Sequence, residues 1–284
     1  MKYTMNYSRI CFTCFLIVLG MSIYAQNSID IALVKWSFRT QTSLLCDMAK
    51  KSEVKALDMV DSDKWDIVLQ KGLTIAVADG ADLGMERGFC DRRWHQQLIE
   101  NYSRLIPLLG AKGIHRIVCY SGVNTDLSDE EALNVCAEGI KPLLDIAKKF
   151  DVTLVMELLS SCKCEETFTK QRFVHYQCDN PEWGVALCKK LESPNFKLLY
   201  DVWHMNDMNR DVMADVKKYH SYIAHYHVAG IPNRGGLSKK DTFDYRGLVQ
   251  LLHKTGYRGF IGLEPDRIEK DLEGTIERSV TILK

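Results

Sequence analysis

Four short apolar runs in the second half of this chain each carry an acid or a histidine at or near their C-terminal end. They read VTLVMELL with Glu157, FKLLYDVWH with Asp201, IAHYHVAG with His227 and GFIGLEPD with Glu264. The gaps between these residues are 44, 26 and 37 positions, each long enough for a strand end, a helix and the next strand. Three carboxylates and one imidazole make an oxygen-rich donor set. Such a set suits Mn²⁺ or Mg²⁺ best and accepts Co²⁺; Zn²⁺ ordinarily prefers more nitrogen or sulfur. An acid at one strand end is usually a solvated rim residue. Acids or imidazole at four consecutive strand ends point to a shared task, the holding of one divalent ion.

Three more residues are read with this set. His204 follows Asp201 by three positions in YDVWHM and is expected to contact a substrate beside the ion. Arg234, in the loop GIPNRGG, is expected to bind a substrate carboxylate or hydroxyls, the glycine pair letting the loop come close. His225 is expected to face the helix layer and to be structural.

These residues need a scaffold that brings strand ends to one side. Strand-like runs are predicted at 31–38, 55–60, 73–79, 115–122, 152–159, 196–204, 223–229 and 259–264. Between them fall helical patterns at 64–71, 91–109, 128–150, from Pro181 to before Pro194, at 244–255 and at 269–284. Ser128 with Glu131 is a capping box, and Gly256 ends a helix as its C-cap. A long loop at 160–180 interrupts the rhythm. Eight alternations over one domain length imply a single TIM (β/α)8 barrel, with the chemistry at the C-terminal strand ends. A doubly wound open sheet is the alternative. It wants a glycine-rich loop after the first strand, and WSFRTQTS has no glycine.

The chain has 284 residues, is 46% hydrophobic and 26% charged, and carries a formal net charge of zero. That composition fits a globular domain with a real core and lends no support to a nucleic-acid partner. Residues 1–25 have the layout of a signal peptide. Lys2 and Arg9 precede an apolar stretch at 10–24 that is short for a membrane span, and cleavage is expected after Ala25. The barrel is then 26–284, periplasmic or secreted, with no membrane attachment once the leader is removed. Of the ten cysteines, Cys119, Cys136 and Cys188 read as small buried hydrophobes. Cys162, Cys164 and Cys178 read as free thiols or one loop disulfide rather than a structural zinc site.

The stretches VMELL, YQCDNPEWG, SPNFKLLYDVWHM, HYHVAGIPNR and GYRGFIGLEP resemble the hydroxypyruvate isomerase-like branch of the xylose-isomerase-like TIM barrels, a superfamily of sugar isomerases and ketose 3-epimerases. The resemblance implies metal ligands at Glu157, Asp201, His227 and Glu264, substrate contacts at His204 and Arg234, and Glu157 with Glu264 as the acid/base pair. It implies a divalent-metal-dependent isomerase or epimerase acting through an enediolate on a small sugar or hydroxy-keto acid. Barrels of this family often self-associate, so a homo-oligomer is also an expectation. Ser160 stands where the family often has Asn, the segment after it is longer, and PNRGG replaces PGRHE; all three departures lie around the substrate. Other readings of the same scaffold are a sugar-acid lyase or dehydratase, a non-catalytic sugar-binding barrel and an apurinic-site endonuclease. The last wants more histidines and a basic face.

Overall fold

The computed structural model describes residues 29–123, 126–161, 174–267 and 270–284. The leader expected at 1–25 and the cysteines Cys162 and Cys164 lie outside the described residues. Within them no helix is long and apolar enough to cross a membrane.

Eight short strands carry the chain: β1 (Asp30–Val34), β2 (Ala56–Asp58), β3 (Thr74–Ile75), β4 (Arg116–Cys119), β5 (Thr153–Leu158), β6 (Phe196–Asp201), β7 (Ile223–Val228) and β8 (Phe260–Leu263). Their order is β3-β2-β1-β8-β7-β6-β5-β4, every pair parallel. The ring closes between β3 and β4 through a bridge from Ala78 to Ile117. There Ala78 donates to the Arg116 carbonyl at 2.9 Å and Val118 donates to the Ala78 carbonyl at 3.1 Å. The expected barrel is therefore formed, and an open sheet is not.

The strands are near-continuous apolar runs because both of their faces are covered. In β5 every residue after Thr153 is buried. One set of side chains faces the helices. Another, including Val34, Met59, Val77, Val118, Val155 and Leu199, forms a separate apolar cluster that fills much of the barrel interior.

Nine helices wrap the ring among the described residues: α1 (Thr42–Lys51), α2 (Trp65–Gln70), α3 (Arg92–Ala111), α4 (Asp129–Lys149), α5 (Pro181–Leu191), α6 (Val202–Asp207), α7 (Val212–Tyr219), α8 (Tyr245–Lys254) and α9 (Leu272–Leu283). The predicted capping box opens α4: Glu131 N donates to Ser128 Oγ, and the Glu131 carboxylate accepts from Ser128 N at 3.0 Å. α1 and α7 were not anticipated. The sixth strand also ends three residues earlier than expected, because Asp201 caps α6. Its Oδ1 accepts from Trp203 N at 2.7 Å and His204 N at 3.0 Å.

Candidate metal centre

Parallel strands in register deliver Glu157, Asp201, His227 and Glu264 to one level of the barrel. Asp201 pairs directly with His227 across β6 and β7, and Glu264 N donates to the Val228 carbonyl at 2.8 Å just past β8. All four side chains are buried. One ligand atom from each lies within 4.8 Å of those from the other three. The four residues singled out from the sequence are thus brought together.

Two of the carboxylates, Asp201 and Glu264, are held by donors that leave part of each facing the cluster. Asp201 spends Oδ1 on the α6 cap and keeps Oδ2 inward. Glu264 Oε1 accepts from Trp36 Nε1 at 3.1 Å, and its Oε2 accepts from Arg234 Nη2 at 2.9 Å. His227 Nδ1 lies 3.4 Å from Glu264 Oε2 and 3.7 Å from Glu157 Oε1. Neither ring nitrogen of His227 makes a hydrogen bond, although both are buried. A buried nitrogen with no hydrogen-bond partner, set among three carboxylates, leaves a lone pair available to a cation shared with them.

Charge in this cluster is lopsided. Burial raises the Asp201 pKa well above its ordinary value; Arg234 opposes this, while Glu264 and Glu157 add to it. Burial likewise raises Glu157, with Glu264 adding and His227 pulling the other way. Glu264 differs: burial pushes its carboxyl up, but His227 and Arg234 outweigh burial and hold it well below the usual carboxylate range. Burial disfavours charge on His227, yet Glu264, with the nearby carboxylates of Asp58 and Glu157, holds its imidazole well above the usual value. Three crowded carboxylates draw in whatever positive charge is near, and a divalent cation answers that demand in a dry site. The donor set, the partnerless imidazole and the surplus negative charge all fit a single hard cation.

Of the two residues assigned to substrate, His204 sits on the first turn of α6. Its Nε2 lies 3.8 Å from Asp201 Oδ2, and its Nδ1 is hydrogen-bonded to Ser160 Oγ at 2.9 Å. Burial, reinforced by Arg234, keeps His204 neutral. With a carboxylate near Nε2, the consistent arrangement has Ser160 donating to Nδ1, so that Nε2–H is presented to the cluster. Arg234 adopts a left-handed backbone (φ 52°), stacks over the Trp203 ring with its guanidinium carbon 4.8 Å from the centroid, and turns onto Asp201 and Glu264. It is an inward residue fixed on the acids rather than an arm of the surface.

The expectation for His225 is overturned. Residues two apart on a strand share a face, and His225 points inward beside His227, their rings 5.1 Å apart and nearly perpendicular. Its Nε2 meets Asp58 Oδ2 at 2.5 Å. Asp58, at the end of β2, escaped the sequence analysis. The signal was an acid inside the apolar run KALDMV, and it was read as strand alone. Cys178 is a buried free thiol, as are Cys119, Cys136 and Cys188.

A model of the family described as xylose isomerase-like TIM barrel matches residues 66–284. A human protein provisionally named a hydroxypyruvate isomerase is 32% identical over 89 residues, which are 31% of this chain and 32% of that protein. A Xenopus laevis protein of the same provisional name is 24% identical over 193 residues, 68% of this chain and 58% of that one. The chain thus spans from about a third to somewhat over half of the length of these relatives. Among solved structures, an E. coli 3-keto-D-glucoside 4-epimerase superposes with a TM-score of 0.72 at 15% identity, covering 89% of this chain and 98% of the other. At that identity the likeness concerns the fold.

Proposed function

The chain belongs to the xylose isomerase-like TIM barrel family, and from that premise we propose that it is a divalent-metal-dependent isomerase or epimerase acting on a small sugar or 2-hydroxy carbonyl compound. The observation that carries this reading is the convergence of Glu157, Asp201, His227 and Glu264, one ligand atom from each within 4.8 Å of the others. These four side chains would hold the ion. When bound, it would supply Lewis-acid polarisation of the substrate oxygens, lowering the barrier to removal of the proton between them.

The protein's own residues do the rest. One of Glu157 and Glu264 accepts the carbon-bound proton and the other returns it, to the neighbouring carbon for isomerisation or to the opposite face for epimerisation. Their environments differ in the way such a pair requires: Glu264 is held ionised by Arg234 and His227, while burial favours a proton on Glu157. His204 presents a neutral N–H to a substrate oxygen, and Arg234 fixes the carboxylates of Glu264 and Asp201. Trp36, 40% exposed and bonded to Glu264, supplies an aromatic wall where a sugar would enter.

Exchange of solvent deuterium into a panel of ketoses, aldoses and 2-keto acids, followed by NMR with Mn²⁺-supplemented protein, tests the proposal. Incorporation at the carbon beside the carbonyl is expected. Glu157→Gln and Glu264→Gln should each lower it by at least ~100-fold with circular dichroism unchanged. No incorporation across the panel would leave a sugar-binding barrel instead. Export through residues 1–25 is part of the same proposal; a mature protein beginning at Gln26, recovered outside the cytoplasm, is the expected product.

A further inference from the structure

Behind the metal cluster lies a second group of buried polar side chains that the chemistry above does not use. Asp58 from β2 and His225 from β7 are fully buried, and Asp58 faces both histidines of β7. Its carboxylate is pinned from two sides. Oδ1 accepts from Met59 N at 2.9 Å, and Oδ2 meets His225 Nε2 at 2.5 Å. His225 Nδ1 has no partner, so the ring's proton belongs on Nε2, facing Asp58. The same Oδ2 lies 3.4 Å from His227 Nε2, longer than a fully formed hydrogen bond.

The space for this arrangement is cut out of β8. A Cβ on Gly262 would come within 2.5 Å of Asp58 Oδ2 and 2.6 Å of His227 Cδ2. Only a glycine lets the acid and the imidazole meet at that level of the barrel. Burying a carboxylate is costly unless it is matched by donors, and here the His225 imidazole and the Met59 amide supply the match, with His227 Nε2 close by.

We propose that Asp58, held by His225 and accommodated by Gly262, is a positioning residue for His227: it accepts from His227 Nε2–H, keeps the proton on that nitrogen and thereby aims the Nδ1 lone pair at the cation. His227 has two chemically different nitrogens. With its proton on Nδ1 it could not ligate from that atom, and the ring would offer the cluster an N–H where the ion needs a lone pair. A carboxylate on the far nitrogen fixes the tautomer, fixes the ring plane and raises the basicity of the near nitrogen. His225 does for Asp58 what Asp58 does for His227, because it stops the acid from rotating away. The inference rests on the proposed metal centre and adds to it a residue from the first half of the barrel, where none of the four ligands resides.

The test is titration of the metal-free full-length chain with Co²⁺ alone, read by its visible absorption and by calorimetry. Asp58→Asn keeps the shape and removes the charge. It should bind Co²⁺ about 10–100-fold more weakly than the parent chain, with an altered visible spectrum, while its unfolding midpoint without metal is not lowered. His225→Gln, which keeps a donor for Asp58, should lose less affinity, and it serves as the second variant if Asp58→Asn does not fold. Affinity within twofold of the parent and an unchanged spectrum in whichever of these variants folds would overturn the positioning role while leaving the metal centre standing. Two Co²⁺ ions per parent chain, one of them lost in His225→Gln, would overturn it in favour of a second site on Asp58 and His225. A parent chain that takes up no Co²⁺ would remove the metal centre itself, and this inference with it.

Discussion

Gly262 shows how much of the site depends on a side chain that is missing. Alanine there would drive a methyl group into Asp58 and His227, and backbone atoms of β8 would have to yield. Gly262→Ala should destabilise the fold by about 1–3 kcal/mol, measured by urea denaturation, and should weaken Mn²⁺ binding in the same preparation. The four clustered residues were legible in the sequence because each ends a long apolar run, where an acid or imidazole stands out. Asp58 was not legible in that way: it stands inside the apolar run expected at 55–60 rather than at its end, and the observed strand stops on it two residues early. His225 was misplaced for a geometric reason, since the alternation of a strand returns to the same face after two residues. The partner of Ser160 was out of reach for another reason. Ser160 and His204 are 44 positions apart and meet only because β5 and β6 are neighbours.

The elements transmit position to these residues. β6 ends on Asp201 because the next residues turn into α6, and one carboxylate both caps that helix and faces the cluster. The sequence reading ran β6 on to His204, since a run of apolar and aromatic residues has no visible stop when the capping side chain is itself a strand residue. α1 and α7 were missed because they are short and their buried faces are narrow: Leu45, Cys46 and Ala49 in one, Val212, Val216 and Tyr219 in the other. α4 was legible because its cap is local. Ser128→Ala, which removes the side-chain acceptor of that cap, should cost about 1 kcal/mol, read as a lower urea midpoint. Where β3 runs out, half-buried Asp79 is raised to about 8, by burial first and then by Asp82. A carboxyl whose folded pKa lies above its unfolded one binds more protons in the folded state, so it removes stability as pH rises from about 4 toward 8. The urea midpoint of Asp79→Asn should therefore gain on that of the parent chain between pH 5 and pH 8. Equal gaps at the two pH values would contradict the shift.

At the scale of the whole molecule, the ring of strands converts distance along the chain into proximity. Residues 58 and 227 touch because β2, β1, β8 and β7 are consecutive staves, and no local pattern announces that. Fold class and strand order were readable from the alternation of apolar runs with helical patterns, since a parallel barrel needs nothing else; the depth of the site was not. An ion bound only by the folded ring should raise its stability by about 2.7 kcal/mol at a hundredfold excess over Kd. Chelation should then lower the melting temperature of Mn²⁺-saturated protein, and lower that of Asp201→Asn much less. The ring is not uniform. The joint between β3 and β4 consists of one bridge at Ala78, and it lies diametrically across from β7 and β8. That joint is a seam, and thermal breathing will part it before any other pair of staves. Amide protons of Ala78 and Val118 should accordingly exchange with heavy water sooner than those of Tyr200 and Tyr226. A barrel that unzips on the side away from its buried acids can breathe there without disturbing them.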